Sequence, residues 1–152
     1  MKLFRRVVAP VLLVATVALL FAACGGMSKE EYVTKVNKLM KQAEKDQQKL
    51  GKGTPTAADF QTLQGTVNHT ADELDKINPP SEIKKQHEDL VKELRALSVP
   101  LKKFGDAMVK IQKDPKNMST MLTQITPLNA EISKDVEALN KTADEMKKKG
   151  YK

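Results

Sequence analysis

Cys24 is the only cysteine of the chain, and its thiol is the one soft nucleophile that the sequence offers. Small residues surround it, with Ala22 and Ala23 before it and Gly25 and Gly26 after it. Small neighbours leave a thiol accessible to a modifying enzyme, and a single cysteine forms no internal disulfide. The sequence therefore indicates covalent modification of Cys24 and not a disulfide-stabilised fold.

The residues before Cys24 have the pattern of a secretory signal peptide. A positive start with Lys2, Arg5 and Arg6 is followed by a largely apolar run over residues 7–23. A basic start, an apolar middle and a small-residue end are typical of a cleaved export signal. The run of about 17 residues is at the lower limit for spanning a bilayer, so a retained membrane helix is one alternative. The adjacent residues Arg5 and Arg6 make export by the twin-arginine route a second alternative.

The segment Phe21-Ala22-Ala23-Cys24-Gly25 resembles the bacterial lipobox, in which two small residues precede the cysteine that is modified. The resemblance implies that diacylglycerol is transferred to the Cys24 sulfur, with palmitate among the acyl chains. It also implies that the signal peptide is cut between Ala23 and Cys24. Phe21 departs from the pattern, which usually has leucine at that position. Two acyl chains anchor a protein stably, whereas one gives only marginal membrane binding.

The lipobox resemblance sets the domain boundaries and the compartment that we expect. Residues 1–23 are the predicted lipoprotein signal peptide, residues 24–27 a lipidated tether, and residues 28–152 a single helical-bundle domain. The mature chain is then extracytoplasmic, in the cell envelope, and lipid-anchored to the cell membrane through Cys24.

Composition favours a mildly charged helical domain and argues against nucleic-acid binding. Without residues 1–23 the chain keeps 23 of its 26 basic residues against 19 acids, a net charge of +4. These charges are interleaved, as on solvated helix faces, and the chain has no tryptophan to stack on bases. Good helix formers dominate and few residues favour strands, so the predicted fold class is all-α.

Hydrophobic periodicity and capping signals predict four helices. Ser28 with Glu31, and Thr56 with Asp59, have the spacing of capping boxes at the starts of the first two. The expected bounds of the four helices are about 28–50, 56–78, 81–113 and 116–149.

The third helix has the most regular periodicity. Its apolar seam advances by steps of four and three residues, as in coiled-coil-like helices that pack along their whole length. The seam consists of Ile83, His87, Leu90, Leu94, Leu97, Leu101, Phe104, Met108 and Ile111. Pro100 interrupts this helix and Pro127 the fourth, and a proline in a helix interior costs roughly 3 kcal/mol. We therefore predict an up-down-up-down four-helix bundle with proline-kinked third and fourth helices.

Residues that could bind a metal or a cofactor are isolated in the sequence. His87 is the one polar residue of the seam, and it is either a ligand or pH switch, or a buried histidine satisfied by a neighbouring carboxylate. His69 lies off its apolar stripe and is expected to be solvated. Met118 and Met121 have a spacing that also suits ordinary core packing. We predict no catalytic, cofactor or metal site, and we do not expect an enzyme.

A basic cluster ends the predicted fourth helix and follows it, with Lys147, Lys148, Lys149 and Lys152. In a four-helix bundle both ends of the mature chain lie at the same end, which is the end held by Cys24. These lysines are therefore candidates for contact with anionic lipid headgroups. The alternative is that they complement the negative C-terminal end of the helix dipole.

The segment LDKINPPSEIKKQHEDLV at 74–91 resembles a pattern in small helical lipoproteins of actinobacteria. In that pattern a helix ends in a double proline before a longer amphipathic helix. The resemblance covers the central hairpin, with weaker similarity around it. It implies a helical lipoprotein and no particular activity, so no functional residues carry over.

Two functions are open for such a domain. We predict a non-catalytic module that binds another envelope protein through exposed helix faces. The alternative is a carrier of a small hydrophobic ligand, held where the proline kinks open the core. That part of the core is expected to contain Leu97, Leu101, Phe104, Ile125 and Leu128.

Overall fold

Four α-helices make up the part of the chain that the structure describes. The computed structural model describes residues 27–48, 50, 56–114, 116 and 118–152, with the backbone alone at 118 and 120–122. The helices are α1 (Lys29–Gln48), α2 (Ala57–Asp75), α3 (Lys84–Lys113) and α4 (Met118–Lys148), and a 3₁₀ turn at Ser81–Ile83 precedes α3. These residues contain no strand, which confirms the all-α prediction.

The predicted signal peptide at 1–23, its cleavage site between Ala23 and Cys24 and the lipidation site at Cys24 lie outside the described residues. Within the described ranges, no helix has the length and apolar content needed to cross a membrane. The anchoring prediction therefore rests on the sequence.

Side chains at the N-termini of α1 and α2 cap the first turns of these helices. The Asp59 N–H donates to Thr56 Oγ1 at 3.3 Å and the Thr56 N–H donates to Asp59 Oδ2 at 2.7 Å, which confirms the predicted capping box. At the start of α1 the Glu31 N–H donates to Ser28 Oγ at 3.2 Å. These bonds satisfy N–H groups that have no partner inside their helix.

α2 ends at Asp75, before the predicted end at Asn78. The Ile77 N–H donates to the Leu74 carbonyl at 2.8 Å and closes the final turn. Asn78 precedes Pro79, and the proline ring disfavours helical geometry in the residue before it. The proline pair predicted that the helix stops by Asn78, and the structure ends it three residues earlier.

α3 is the centre of the packing, because it contacts both α2 and α4. The predicted seam explains this position: its members from Ile83 to Phe104 are buried, and Met108 and Ile111 are partly buried against the core. α3 continues through Pro100, which is itself buried, so the prediction of a single helix there is confirmed. α4 likewise continues through Pro127.

α1 is held to the rest of the molecule by few buried residues. Of its described side chains, Tyr32 and Val36 are buried, while Val33, Leu39 and Met40 are partly buried against the core. α1 packs against α2. Most of the apolar side chains of α1 are therefore only partly buried.

Gly65→Ala is expected to raise the free energy of unfolding by about 0.5–1 kcal/mol, because alanine is a better residue than glycine in a helix interior. Gly65 lies inside α2, is exposed, and a Cβ built there has nothing within 4 Å. Denaturant unfolding of the two proteins measures the difference.

Gly105→Ala is the matched control for this substitution. A Cβ at Gly105 would lie 3.3 Å from Phe60 Cβ and 3.6 Å from the Ala57 carbonyl oxygen, where α2 and α3 approach closely. The gain in helix propensity is then offset by crowding, so we expect no net stabilisation. Equal gains at both positions would contradict this close approach of the helices.

Candidate functional site

Three parts of the chain are joined by direct bonds at one end of the bundle. The Lys29 ammonium donates to the Lys149 carbonyl at 3.1 Å. The Lys149 ammonium donates to the Glu82 carbonyl at 2.5 Å and to Gln86 Oε1 at 3.0 Å. The start of α1, the start of α3 and the residues after α4 therefore lie together.

Gly150 turns the chain after α4 back onto the bundle. Its φ of 84° is in the left-handed region, which glycine adopts without steric cost. The Gly150 N–H donates to the Lys147 carbonyl at 2.8 Å and the Tyr151 N–H donates to the Met146 carbonyl at 3.0 Å, which is the bonding of a Schellman motif. This turn buries Tyr151.

A buried hydrogen bond joins α1 to α3. The Tyr32 hydroxyl oxygen lies 2.9 Å from His87 Nδ1, and the two residues are 1% and 4% exposed. Their rings meet edge to face with centroids 5.6 Å apart. The partner of His87 is thus a tyrosine hydroxyl, where the sequence suggested a carboxylate.

Burial favours the neutral form of His87. Its pKa is lowered mainly because burial removes water from the charged ring. A hydrogen bond to the Leu74 carbonyl and the carboxylates of Asp75 and Glu88 oppose this shift without reversing it. In a neutral imidazole one nitrogen accepts and the other donates. Nδ1 therefore accepts from Tyr32, and the other nitrogen donates to the Leu74 carbonyl.

Tyr151, in the segment after α4, contacts Tyr32. Its hydroxyl donates to Glu82 Oε1, and its ring lies edge to face with Tyr32 at a centroid distance of 5.8 Å. The Lys29 ammonium is 4.8 Å from the centre of the Tyr151 ring, a cation–π contact. Burial raises the pKa of both tyrosines, so both phenols stay protonated. We call Tyr32, His87, Tyr151 and Glu82 the tyrosine–histidine cluster.

Sequence reasoning identified His87 but did not connect it to Tyr32, Tyr151 or Glu82. The chain has only two tyrosines, and both lie in this cluster. A further signal was Gly150 followed by an apolar residue directly after a helix, which is the sequence of a helix end that folds back onto its core.

An apolar groove of about 60 Å³ opens beside the cluster, between α1 and α4. We call it the α1–α4 groove. Half of its lining residues come from α1, so its shape depends on where α1 lies. It is lined by Tyr32, Val33, Val36, Asn37, Met40, Leu90, Ala143, Met146, Tyr151 and Lys152.

A second groove, of about 360 Å³, borders His87 along α2 and α3. Its charged residues have both signs, so it offers no clear preference for an anion or a cation. Arg95 bonds Asp75 at 2.9 Å and Asp72 at 3.3 Å, which joins the two helices across this surface. The groove is lined by Asp75, Ile77, Pro79, Lys84, His87, Glu88, Val91, Lys92 and Arg95.

Glu93 places a carboxylate between α3 and α4. Its Oε1 accepts a hydrogen bond from the Thr142 hydroxyl at 3.0 Å, while its Oε2 is buried without a hydrogen-bond partner in the described part of the chain. Burial raises the pKa of Glu93, and the bond from Thr142 partly opposes that rise. A single bond and an orphaned oxygen do not form a site for catalysis.

The predicted basic cluster is divided by the structure. Lys147 pairs with Asp144 at 3.1 Å, and Lys149 is bonded to the residues before and within α3. Lys148 and Lys152 are exposed, and Lys152 also borders the α1–α4 groove. Two of the four lysines therefore have partners within the bundle.

Other residues named from the sequence have simple environments or lie outside the description. His69 is exposed, as predicted, whereas the side chains of Met118 and Met121 are not among those described. Among the residues that are described, no group of three His, Cys, Asp or Glu side chains is placed to hold a metal ion. The five core residues of the carrier alternative are each at most 9% exposed: Leu97, Leu101, Phe104, Ile125 and Leu128.

Comparison with protein-family models, with curated proteins and with solved structures gives no match to this chain.

Proposed function

We propose that this chain is a lipid-anchored extracytoplasmic lipoprotein whose helical bundle is a non-catalytic module that binds another envelope protein. The observation that carries the binding role is the α1–α4 groove, an open and almost wholly apolar concavity. Concave apolar surface that a protein leaves uncovered is typical of an interaction site. The anchoring role rests on the lipobox-like segment ending at Cys24.

The size of the groove favours a protein partner over a carried ligand. Pockets that enclose a small ligand usually have volumes of about 300–1,000 Å³. A groove of about 60 Å³ accepts one or two apolar side chains of a partner instead. The core near Pro100 and Pro127, where the alternative places a hydrophobic ligand, is lined by well-buried residues such as Phe104 and Ile125.

We further propose that the helices run up-down-up-down and that α3 and α4 bend at Pro100 and Pro127. The bonds that join Lys29, Glu82 and Lys149 support this order, because it brings the starts of α1 and α3 to the end of α4. Bends are expected because each proline removes one backbone donor and crowds the preceding turn.

The groove would then lie close to the membrane. Met27 packs against the core and is separated from Cys24 by only two residues, so the tether spans at most about 11 Å. Lys148 and Lys152, which are exposed at this end, would face anionic headgroups. Lys147 and Lys149 would contribute less, since each already has a partner in the bundle.

Cys24→Ser is expected to abolish labelling by a radioactive fatty acid and to move the chain from the membrane fraction to the soluble fraction. The change removes the sulfur that would carry the lipid, while serine keeps nearly the same size. Phe21→Leu is the control, because it brings the segment nearer to the lipobox and is expected to preserve labelling. Equal labelling of the Cys24→Ser variant and the parent would refute the anchoring proposal.

Site-specific photo-crosslinking in cells tests the binding proposal. A photoreactive phenylalanine analogue at Asn37, which lines the groove, is expected to capture a defined envelope protein. The same analogue at Lys38, the next residue of α1 and exposed, is the matched control and is expected to capture it poorly. Equal capture at both positions would refute the groove as the binding surface.

A further inference from the structure

A buried hydrogen bond is one of the contacts that hold α1 in position. Tyr32 and Val36 are the buried residues among the described side chains of α1, and the Tyr32 hydroxyl donates to His87 Nδ1. Tyr32 also meets Tyr151 of the segment after α4. The bond to His87 therefore helps to hold the start of α1 against α3 and α4.

With the Tyr32 hydroxyl as the donor, this bond requires neutral His87. A protonated imidazole carries a hydrogen on both nitrogens, so Nδ1 can no longer accept from the Tyr32 hydroxyl. The phenol cannot respond by losing its own proton, because burial raises the pKa of Tyr32. On protonation the Tyr32 oxygen can accept from Nδ1–H, but the Tyr32 hydroxyl hydrogen then loses the acceptor that it has in the described part of the chain. Protonation also places a charge in a site that is 4% exposed to water.

The charged groups around His87 do not remove this penalty. From α2, Asp75 favours the charged ring, but Arg95 is bonded to it. From α3, Glu88 favours the charged ring, while Lys84 and Lys92 share the surface groove with His87 and oppose it.

From α1, the titratable group that contacts His87 is Tyr32, while the Lys29 ammonium lies over the Tyr151 ring. From the end of α4, the Lys149 ammonium bonds Gln86, the residue before His87 in α3. Both lysines are cations and oppose a positive charge on His87. Opening of the cluster to water therefore accompanies protonation.

We propose that His87 is an acid-sensitive latch on the α1–α4 groove: protonation of its ring releases the start of α1 and so alters the surface that binds the partner. The shape of the groove changes with the position of α1, because α1 contributes five of its lining residues. The proposal rests on the proposed function only in naming the groove as the binding surface. The latch itself is a property of the chain alone.

Hydrogen exchange measured by mass spectrometry on the full chain in detergent tests the latch. The amides of residues 32–40 are expected to open more often in acid, with an opening constant that rises by up to tenfold for each pH unit below about 6.5. Rates are first corrected for the intrinsic pH dependence of exchange. The amides of residues 97–104, in the buried centre of α3, are the internal reference.

His87→Asn and His69→Asn form the matched pair of variants. An asparagine side-chain oxygen replaces Nδ1 as the acceptor for Tyr32 and does not titrate, so acid opening of α1 is expected to disappear in His87→Asn. His69 is the only other histidine and is exposed, so His69→Asn is expected to keep the response. An unchanged response in His87→Asn, or none in the parent, would overturn the proposal.

If His87→Asn does not fold, NMR titration of the His87 ring in the parent gives the same test. The latch requires that the ring titrates over the pH range in which α1 opens, and a clear separation of the two midpoints would overturn it. Crosslinking from Asn37 at pH 7.5 and pH 5 distinguishes the two proposals. Capture at both pH values with no opening of α1 refutes the latch alone, and opening of α1 with no capture at either pH refutes the binding function alone.

Discussion

Phe104→Ala is expected to lower the free energy of unfolding by about 3–5 kcal/mol, the usual cost of truncating a fully buried aromatic residue. Phe104 lies on the α3 seam and is 1% exposed. Its ring centroid is 4.3 Å from that of Phe60 on α2, so the substitution opens a cavity and removes an aromatic contact between the two helices. Urea unfolding of the full chain, followed by circular dichroism, measures the loss.

Val99→Ala is the matched control for this prediction, because Val99 lies on the same helix and is 51% exposed. A substitution at an exposed position of this kind changes the free energy of unfolding by about 0.5 kcal/mol or less. Comparable losses for the two variants would contradict the placement of Phe104 at the centre of the core. A large loss for Phe104→Ala alone would confirm that placement.

The α3 seam could be predicted from sequence because its signal is local. Residues at steps of three and four lie on one face of a helix whatever surrounds that helix, so the spacing from Ile83 to Phe104 identified a buried face. The Thr56–Asp59 capping box was predictable for the same reason, since all its atoms lie within one turn. The end of α2 was placed at Asn78 because Pro79 follows it, and the helix ends three residues earlier, at Asp75.

The surroundings of α1 could not be predicted in this way. Its apolar stripe indicates which face avoids water, but not whether a neighbouring helix covers that face along its whole length. In the structure α1 packs against α2, and Tyr32 near its start bonds His87 of α3. Val33 and Met40 are apolar residues of α1 that are only partly buried against the core, and both border an open groove.

The tyrosine–histidine cluster is non-local, and this explains why sequence reasoning found only one of its members. Tyr32 and His87 are 55 positions apart, and Tyr151 and Glu82 are 69 apart. No periodicity relates residues at such separations. Their contacts follow from how whole helices are placed, and Lys149, expected at the surface, is bonded to Glu82 and Gln86 for the same reason.

Tyr32→Ala is expected to cost about 3–5 kcal/mol, because it removes a buried ring together with the hydroxyl. Tyr32 is 1% exposed and meets both His87 and Tyr151 edge to face. Tyr32→Phe keeps the ring and removes only the donor to His87 Nδ1. Leaving that buried acceptor unpaired is expected to cost about 1–3 kcal/mol. Denaturant unfolding at pH 7.5 measures both variants, and equal losses would show that the hydroxyl, and not the ring, accounts for the whole effect.

The cost of Tyr32→Phe is also expected to shrink as the pH falls. Burial favours neutral His87, so its folded pKa lies below that of the unfolded chain. The resulting stability is complete above the unfolded pKa of about 6.5 and is lost as the pH falls through the folded pKa. Only the neutral ring accepts from the Tyr32 hydroxyl, so without that hydroxyl we expect a smaller depression of the His87 pKa and a smaller loss of stability in acid than in the parent. The difference between the two proteins should therefore be larger at pH 7.5 than at pH 5, and a difference that stays constant between these values would mean that the Tyr32 bond is not linked to protonation of His87.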